Sequence, residues 1–273
     1  MSHRYSLAFL TVFELPPVEA VKAAKSAGYD LIGLRMLPAA PGAEADYPLL
    51  TDDRVLADTL AALDDTGIGV ADIEIVRLKP ETDVGSFERF FERGQRLGAK
   101  NVLVAGDDPE EARLAESFGK LARLAASFGL TVDLEFMPWT RVPDLATALR
   151  IVEASGEPNG GVLVDALHFD RSSSTLDEVA AMPRQRINYV QFCDGPKDYD
   201  RSDAGLIDVA RRARLMPGDG GIDLAGFARA IPSDTVISIE LPNYELAERM
   251  NGADRAALAL QRTKAVVDAA LAG

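Results

Sequence analysis

Four residues of this chain are hard to explain as packing. They are Glu135 in Thr-Val-Asp-Leu-Glu-Phe-Met-Pro-Trp, Asp165 in Val-Leu-Val-Asp-Ala-Leu-His, Gln191 in Tyr-Val-Gln-Phe-Cys-Asp and Glu240 in Ile-Ser-Ile-Glu-Leu-Pro-Asn. Each lies in or at the end of an apolar run, where an ionised carboxylate is costly unless it is paired, hydrogen-bonded or bound to a cation. Three carboxylates and an amide oxygen form a hard, oxygen-only donor set suited to Mn2+ or Mg2+. Co2+ or Zn2+ is less favoured, because no imidazole or thiolate contributes. The competing explanation is that some of these acids form salt bridges to Arg35, Arg77 or Arg214 at the same mouth. It is weaker for all four together than for any one alone.

Other residues are placed to contact a substrate. His168, three positions after Asp165, is one of two histidines and suits a hydrogen-bond donor or proton shuttle. Arg214 can clamp a carboxylate or a hydroxyl pair, against the alternative of a solvated surface arginine. Trp139, the only tryptophan, suits an apolar wall of the pocket or plain packing. Asp194, closing the Val-Gln-Phe-Cys-Asp segment, is a further substrate-binding candidate. Glu74 and Arg77 are expected to neutralise one another, and His3, near a disordered terminus, to play no part.

The elements that must carry these groups alternate regularly. Strands are predicted at Tyr5–Val12, Asp30–Met36, Val70–Leu78, Asn101–Ala105, Thr131–Phe136, Gly161–Asp165, Ile187–Phe192 and Thr235–Leu241. Helices are predicted near 17–27, 52–66, 84–98, 109–128, 142–155, 174–182, 223–230 and 245–271. The clearest repeats Leu114, Phe118, Leu121, Ala125 and Phe128 at helical spacing, and Gly129 stops it. Gly28, Gly67 and Gly98 fit left-handed caps before strands. Eight βα units with no composition break predict one (β/α)8 TIM barrel over residues 1–273 rather than an open doubly wound sheet. Neither a GxGxxG after the first strand nor a P-loop lysine motif occurs. The irregular stretches 37–51 and 194–222 follow strands and should reach over the active-site face.

Composition narrows the partners. With 29 basic and 43 acidic residues the formal charge is −14, which repels phosphate backbones and anionic bilayers, so nucleic acid and membrane are not expected. The single cysteine, Cys193, permits no intrachain disulfide and no cysteine metal cluster, and a reducing cytoplasm is the expected compartment. The apolar stretch Ser6–Phe13 is followed by Glu14-Leu15-Pro16-Pro17 and reads as a buried strand rather than a signal.

The chain resembles the xylose isomerase-like barrels, the sugar phosphate isomerase/epimerase superfamily, over essentially its whole length. The resemblance rests on Ala-Gly-Tyr-Asp-Leu-Ile-Gly-Leu-Arg, the Glu135 strand, Asp165 with His168, Val-Gln-Phe-Cys-Asp, Pro217-Gly218-Asp219-Gly220-Gly221-Ile222-Asp223 and Glu240. It implies one divalent metal on Glu135, Asp165, Gln191 and Glu240. Gln191 stands where many epimerases carry histidine and hydroxypyruvate isomerase-like members carry glutamine. Gly33 stands where relatives often carry glutamate. The nuclease branch needs a histidine-rich zinc cluster that two histidines cannot supply.

The resemblance implies an isomerase or epimerase of a keto sugar, keto-polyol or hydroxy-keto acid. Glu135 or Glu240 would act as base, and the metal would stabilise an enediolate. A dehydratase of an inosose or dehydroshikimate-like compound is the alternative within the enzymes. A non-catalytic sugar-binding barrel or subunit of a complex is the alternative outside them. Related barrels often pair or form tetramers, so a homo-oligomer accompanies the resemblance.

Overall fold

The computed structural model describes residues 3–39 and 47–272. Eight parallel strands close into a barrel in chain order: β1 (Tyr5–Leu7), β2 (Leu31–Arg35), β3 (Gly69–Leu78), β4 (Asn101–Gly106), β5 (Thr131–Glu135), β6 (Gly160–Asp165), β7 (Tyr189–Phe192) and β8 (Val236–Ile239). β1 pairs with β2 on one side and with β8 on the other, which closes the cylinder. The (β/α)8 barrel expected from the sequence is therefore the fold.

Alternation along each strand sorts the side chains. Leu134, Val162 and Val164 join the large apolar cluster between strands and helices, while the intervening Asp133, Glu135, Leu163 and Asp165 turn inward. Inside the cylinder Ile75, Leu103, Ala105, Met137, Leu163 and Tyr189 form a separate apolar layer. The carboxylates at the strand ends therefore stand on a dry floor.

The helices follow their local chemistry. Pro17–Ala27 opens with proline at its first turn and buries Ala20, Val21 and Ala24; Gly28, at φ 90°, then ends it by donating to the carbonyls of Ala24 and Lys25. Glu111–Ala126 buries the predicted Leu114, Phe118, Leu121 and Ala125. The long final helix, Gly252–Ala272, carries Arg255, which is fully buried. Its guanidinium donates to the carbonyls of Thr11 and Met250 and to the Glu14 carboxylate, which pins the segment after β1.

Four expectations change. The first strand ends at Leu7, and Phe9–Val12 is a 3-10 turn. The stretch 194–222 is not wholly irregular, since it contains the helix Asp203–Arg212. The stretch 37–51 contains a short helix, Pro48–Thr51, and its residues 40–46 lie outside those described. His3 is buried, with Nδ1 2.8 Å from the carbonyl oxygen of Thr235, so it belongs to the barrel's closure. Among the described residues no helix is long and apolar enough to cross a membrane.

Candidate metal centre

Glu135 ends β5 and Asp165 ends β6, on neighbouring strands of the carboxyl-terminal mouth. Asp165 also caps the following helix, Ala166–Arg171. Its Oδ1 accepts from the amides of Leu167 and His168, at 2.8 and 3.1 Å. This cap explains the three-residue spacing to His168, because the capping residue and the third helical residue lie over the same turn. One ligand atom each from Glu135, Asp165 and His168 falls within 4.8 Å of the others, and all three residues are buried. His168 Nε2 is 3.8 Å from Glu135 Oε1, and Trp139 packs edge-on against the imidazole at 5.1 Å.

Glu240 follows β8 and reaches this cluster through two partners. Its Oε1 accepts from Gln191 Nε2 at 3.0 Å, and its Oε2 accepts from Arg214 Nη2 at 2.8 Å. Arg214 Nη1 also bonds Asp165 Oδ2 at 2.5 Å, and its Nε is fixed to the carbonyl of Ala210. The salt-bridge explanation thus holds for Asp165 and Glu240, each paired with Arg214. It leaves a deficit. Among these four side chains alone, Glu135, Asp165 and Glu240 bring three carboxylates against the one guanidinium of Arg214, a local balance of −2 that one divalent cation would close.

The titration behaviour follows from the same arrangement. Burial and the neighbouring Glu240 and Asp165 hold the Glu135 carboxyl well above its usual range. Burial pushes Glu240 to about 7 despite Arg214. For Asp165, burial is more than offset by Arg214 and His168, so its carboxyl lies below the ordinary value. Burial lowers His168 to about 4, leaving at neutral pH an uncharged imidazole that can serve as ligand or hydrogen-bond donor.

The residues fit the metal that the resemblance implies. Beyond the clustered ligand atoms, Gln191 Oε1 is buried with no hydrogen-bond partner among the described residues. Its β7 position is in register with Asp165 on β6. A buried amide oxygen without a donor is what a cation-binding carbonyl looks like before the cation is placed. The oxygen-only ligand set expected from the sequence did not include His168, which the structure adds to the cluster. The signal was the Asp-x-x-His spacing at a strand end.

Asp194 does not join the cluster. Its Oδ1 accepts from the amides of Gly195 and Ile222, and its Oδ2 from those of Gly218 and Gly220, at 2.9 to 3.1 Å. The Pro-Gly-Asp-Gly-Gly motif is therefore a backbone nest around this carboxylate. A Cβ on Gly220 would meet Asp194 Oδ1 at 2.3 Å, which explains glycine there. Because Asp194 also pairs backbone to backbone with Leu215, it positions the neighbouring Arg214. Asp194→Asn is expected to cost about 3 kcal/mol, since its amide group would face backbone donors. Unfolding in denaturant measures this, and an unchanged midpoint would refute the nest's role.

Glu74 and Arg77 do not neutralise one another. Glu74 pairs with Arg35 on β2 at 2.9 Å, both side chains being buried. Gly33 has a local reason too, because a Cβ there would meet both Asp72 carboxylate oxygens at 2.9 Å. Here β3 supplies an acid to the space where the resemblance expects glutamate from β2.

Known proteins agree with this architecture. A 3-dehydroshikimate dehydratase of Pseudomonas aeruginosa is 32% identical over 146 residues, 51% of this chain but only 22% of the dehydratase's own length. An inosose isomerase of Bacillus velezensis is 26% identical over 199 residues, 67% of this chain and 68% of the isomerase. Among solved structures, the IOLI protein with a bound zinc atom superposes with a TM-score of 0.82 at 20% identity, over 97% of this chain and 98% of that one. D-allulose 3-epimerase from Methylomonas sp. in complex with D-allulose gives 0.68 at 18% identity, over 96% of each chain. At these identities the structural likeness carries the fold alone. The family model of the xylose isomerase-like TIM barrel matches residues 21–265, from the first helix to the last, and the chain belongs to that family.

Proposed function

We propose that the chain is a divalent-metal-dependent isomerase or epimerase that moves a proton on the carbon next to the carbonyl of a keto sugar, keto-polyol or hydroxy-keto acid. The observation that carries this reading is the buried Glu135, Asp165 and His168 cluster at the barrel mouth, joined to Glu240 through Arg214 and Gln191. Glu135, Asp165, Gln191 and Glu240 would hold the metal, with His168 beside them. When bound, the ion supplies Lewis acidity that lowers the cost of enediolate charge.

The chain's own residues supply the proton chemistry. Glu135 ends β5 and Glu240 follows β8, on different sides of a cavity of about 120 Å3 that both line. One can take a proton from one face of a substrate carbon while the other returns it at the opposite face or the next carbon. Burial raises the proton affinity of both above the ordinary carboxylate range, and that of Glu240 to about 7, which suits a group that exchanges protons near neutrality. Uncharged His168 is placed to donate to a developing oxyanion. Trp139, Met137 and Leu103 line the same cavity and limit water.

A dehydratase is the second reading, favoured by the 32% identity to the Pseudomonas enzyme. It needs the same proton abstraction, followed by protonation of a departing hydroxyl. One experiment separates the two. Protein loaded with Mn2+ is incubated in deuterated water with a panel of inososes, ketohexoses and hydroxy-keto acids, and followed by NMR. Deuterium is expected to enter beside the carbonyl of at least one compound without loss of water. An unsaturated product would transfer the reading to the lyase. Absence of exchange and of product across the panel, together with no Mn2+ uptake, would overturn it.

A further inference from the structure

The reaction cavity is lined by four arginines, Arg35, Arg77, Arg211 and Arg214, in a chain whose net charge is −14. Two are spoken for: Arg35 pairs with Glu74, and Arg214 pairs with Asp165 and Glu240. Arg77 and Arg211 make no ion pair among the described residues. Arg77, from β3, is fixed only through Nε, which donates to the carbonyl oxygen of Ala39 at 2.7 Å. Its two terminal nitrogens make no hydrogen bond among the described residues. Arg211 projects from the last turn of the helix Asp203–Arg212, three residues before Arg214.

Two guanidinium groups that face one cavity with no salt-bridge partner among the described residues repel each other, and the carboxylate of Glu135 on the same cavity offsets that only in part. The half-buried Arg77 has its proton affinity lowered by burial and by the charge of Arg211. A neutral polyol would leave that repulsion in place, whereas an oxyanion would relieve it. Anchoring through Nε also holds the planar fork, the geometry that binds a carboxylate or phosphate through two parallel hydrogen bonds.

We propose that Arg77 and Arg211 form an oxyanion subsite of the reaction cavity, which takes a carboxylate or phosphate group carried by the substrate. Charge counting agrees. The arginine and carboxylate side chains around the cavity and cluster are Arg35, Arg77, Arg211 and Arg214 against Glu74, Glu135, Asp165 and Glu240, four positive and four negative. A divalent ion would leave +2, a total that proton transfer to Glu135 or Glu240 does not change; a substrate carboxylate would lower it to +1 and a doubly ionised phosphate to zero. The subsite rests on the proton-transfer reading for its place in catalysis. Its binding can be tested separately.

Trp139 lines the same cavity and is the chain's only tryptophan, so its fluorescence reports occupancy without turnover. Titrations of the Mn2+-loaded full chain would use quinate, a ring polyol with a carboxylate, and myo-inositol 1-phosphate, with neutral myo-inositol as reference. At least one anionic probe is expected to bind about tenfold or more tightly than myo-inositol, and to weaken with added salt. Which of the two wins distinguishes carboxylate from phosphate as the group recognised. Arg77→Gln and Arg211→Gln should each erase most of that preference while leaving Mn2+ affinity and thermal midpoint near wild type.

Equal affinity for neutral and anionic probes, no saturable binding of either anion, or an anion preference that survives both substitutions together would overturn the subsite. Mn2+ uptake and deuterium exchange on the same samples keep the two ideas apart. Exchange without anion preference removes only the subsite, and anion preference without Mn2+ uptake removes only the proposed reaction.

Discussion

Glu240→Gln is expected to lower turnover by about a thousandfold or more while the barrel stays folded, the loss anticipated when a positioned acid-base group disappears. The fold should survive because glutamine matches glutamate in shape and the site already disfavours the charge: burial holds Glu240 near 7. Glutamine has one acceptor oxygen where Glu240 uses two, one for Gln191 and one for Arg214, so one donor goes unpaired. That costs about 1 to 3 kcal/mol. Arg214 keeps Asp165 as its partner, which limits the damage to the site. The measurements are the deuterium-exchange rate on the best compound of the panel and a denaturation curve on the same preparation. Turnover like that of the unaltered protein would remove Glu240 from the mechanism, and a collapsed denaturation midpoint would make its role structural.

The barrel was legible because its signal is repeated. The strand reading at Thr131–Phe136 and the observed Thr131–Glu135 differ by one residue, and the helix read at 17–27 is the helix observed. Apolar periodicity and glycine stops are local properties, and each βα unit repeats them. The placement of Glu135, Asp165 and Glu240 at the barrel mouth was legible for a related reason, since a carboxylate in an apolar strand conflicts with its surroundings. What escaped reading depends on which groups meet across the barrel. Arg35 rather than Arg77 takes Glu74, because β2 and β3 are paired with Arg35 opposite Glu74. Asp194 looked like a substrate contact, since sequence shows the acid and the Pro-Gly-Asp-Gly-Gly loop but not that the loop folds around the acid. Arg255, the buried pin of the final helix, carries no signal, because an arginine at a helix position is ordinarily solvated.

Complete removal of divalent ions is expected to abolish turnover, and added Mn2+ to restore it, because every route through the proposed chemistry needs a cation to carry enediolate charge. The electrostatics also predict a stability change. Without an ion, Arg214 is in salt-bridge contact with Asp165 and Glu240, and the buried Glu135 has no arginine partner in contact among the described residues. Mn2+ at about a hundred times its dissociation constant would add about 2.7 kcal/mol. In a barrel of this size that raises the thermal midpoint by about 5 to 10 °C. The order of metals follows from the donors. Oxygen from Glu135, Asp165, Gln191 and Glu240 alone would leave Mg2+ competitive. With His168 inside the same 4.8 Å cluster, its uncharged nitrogen moves the preference toward Mn2+, Co2+ and Zn2+. His168→Gln should therefore weaken Mn2+ more than Mg2+, narrowing the ratio of their affinities. Calorimetric titration of both ions into both proteins gives that ratio directly. An unchanged ratio would return His168 to the role of substrate donor, and full turnover in protein stripped of metal would remove the cation from the reaction altogether.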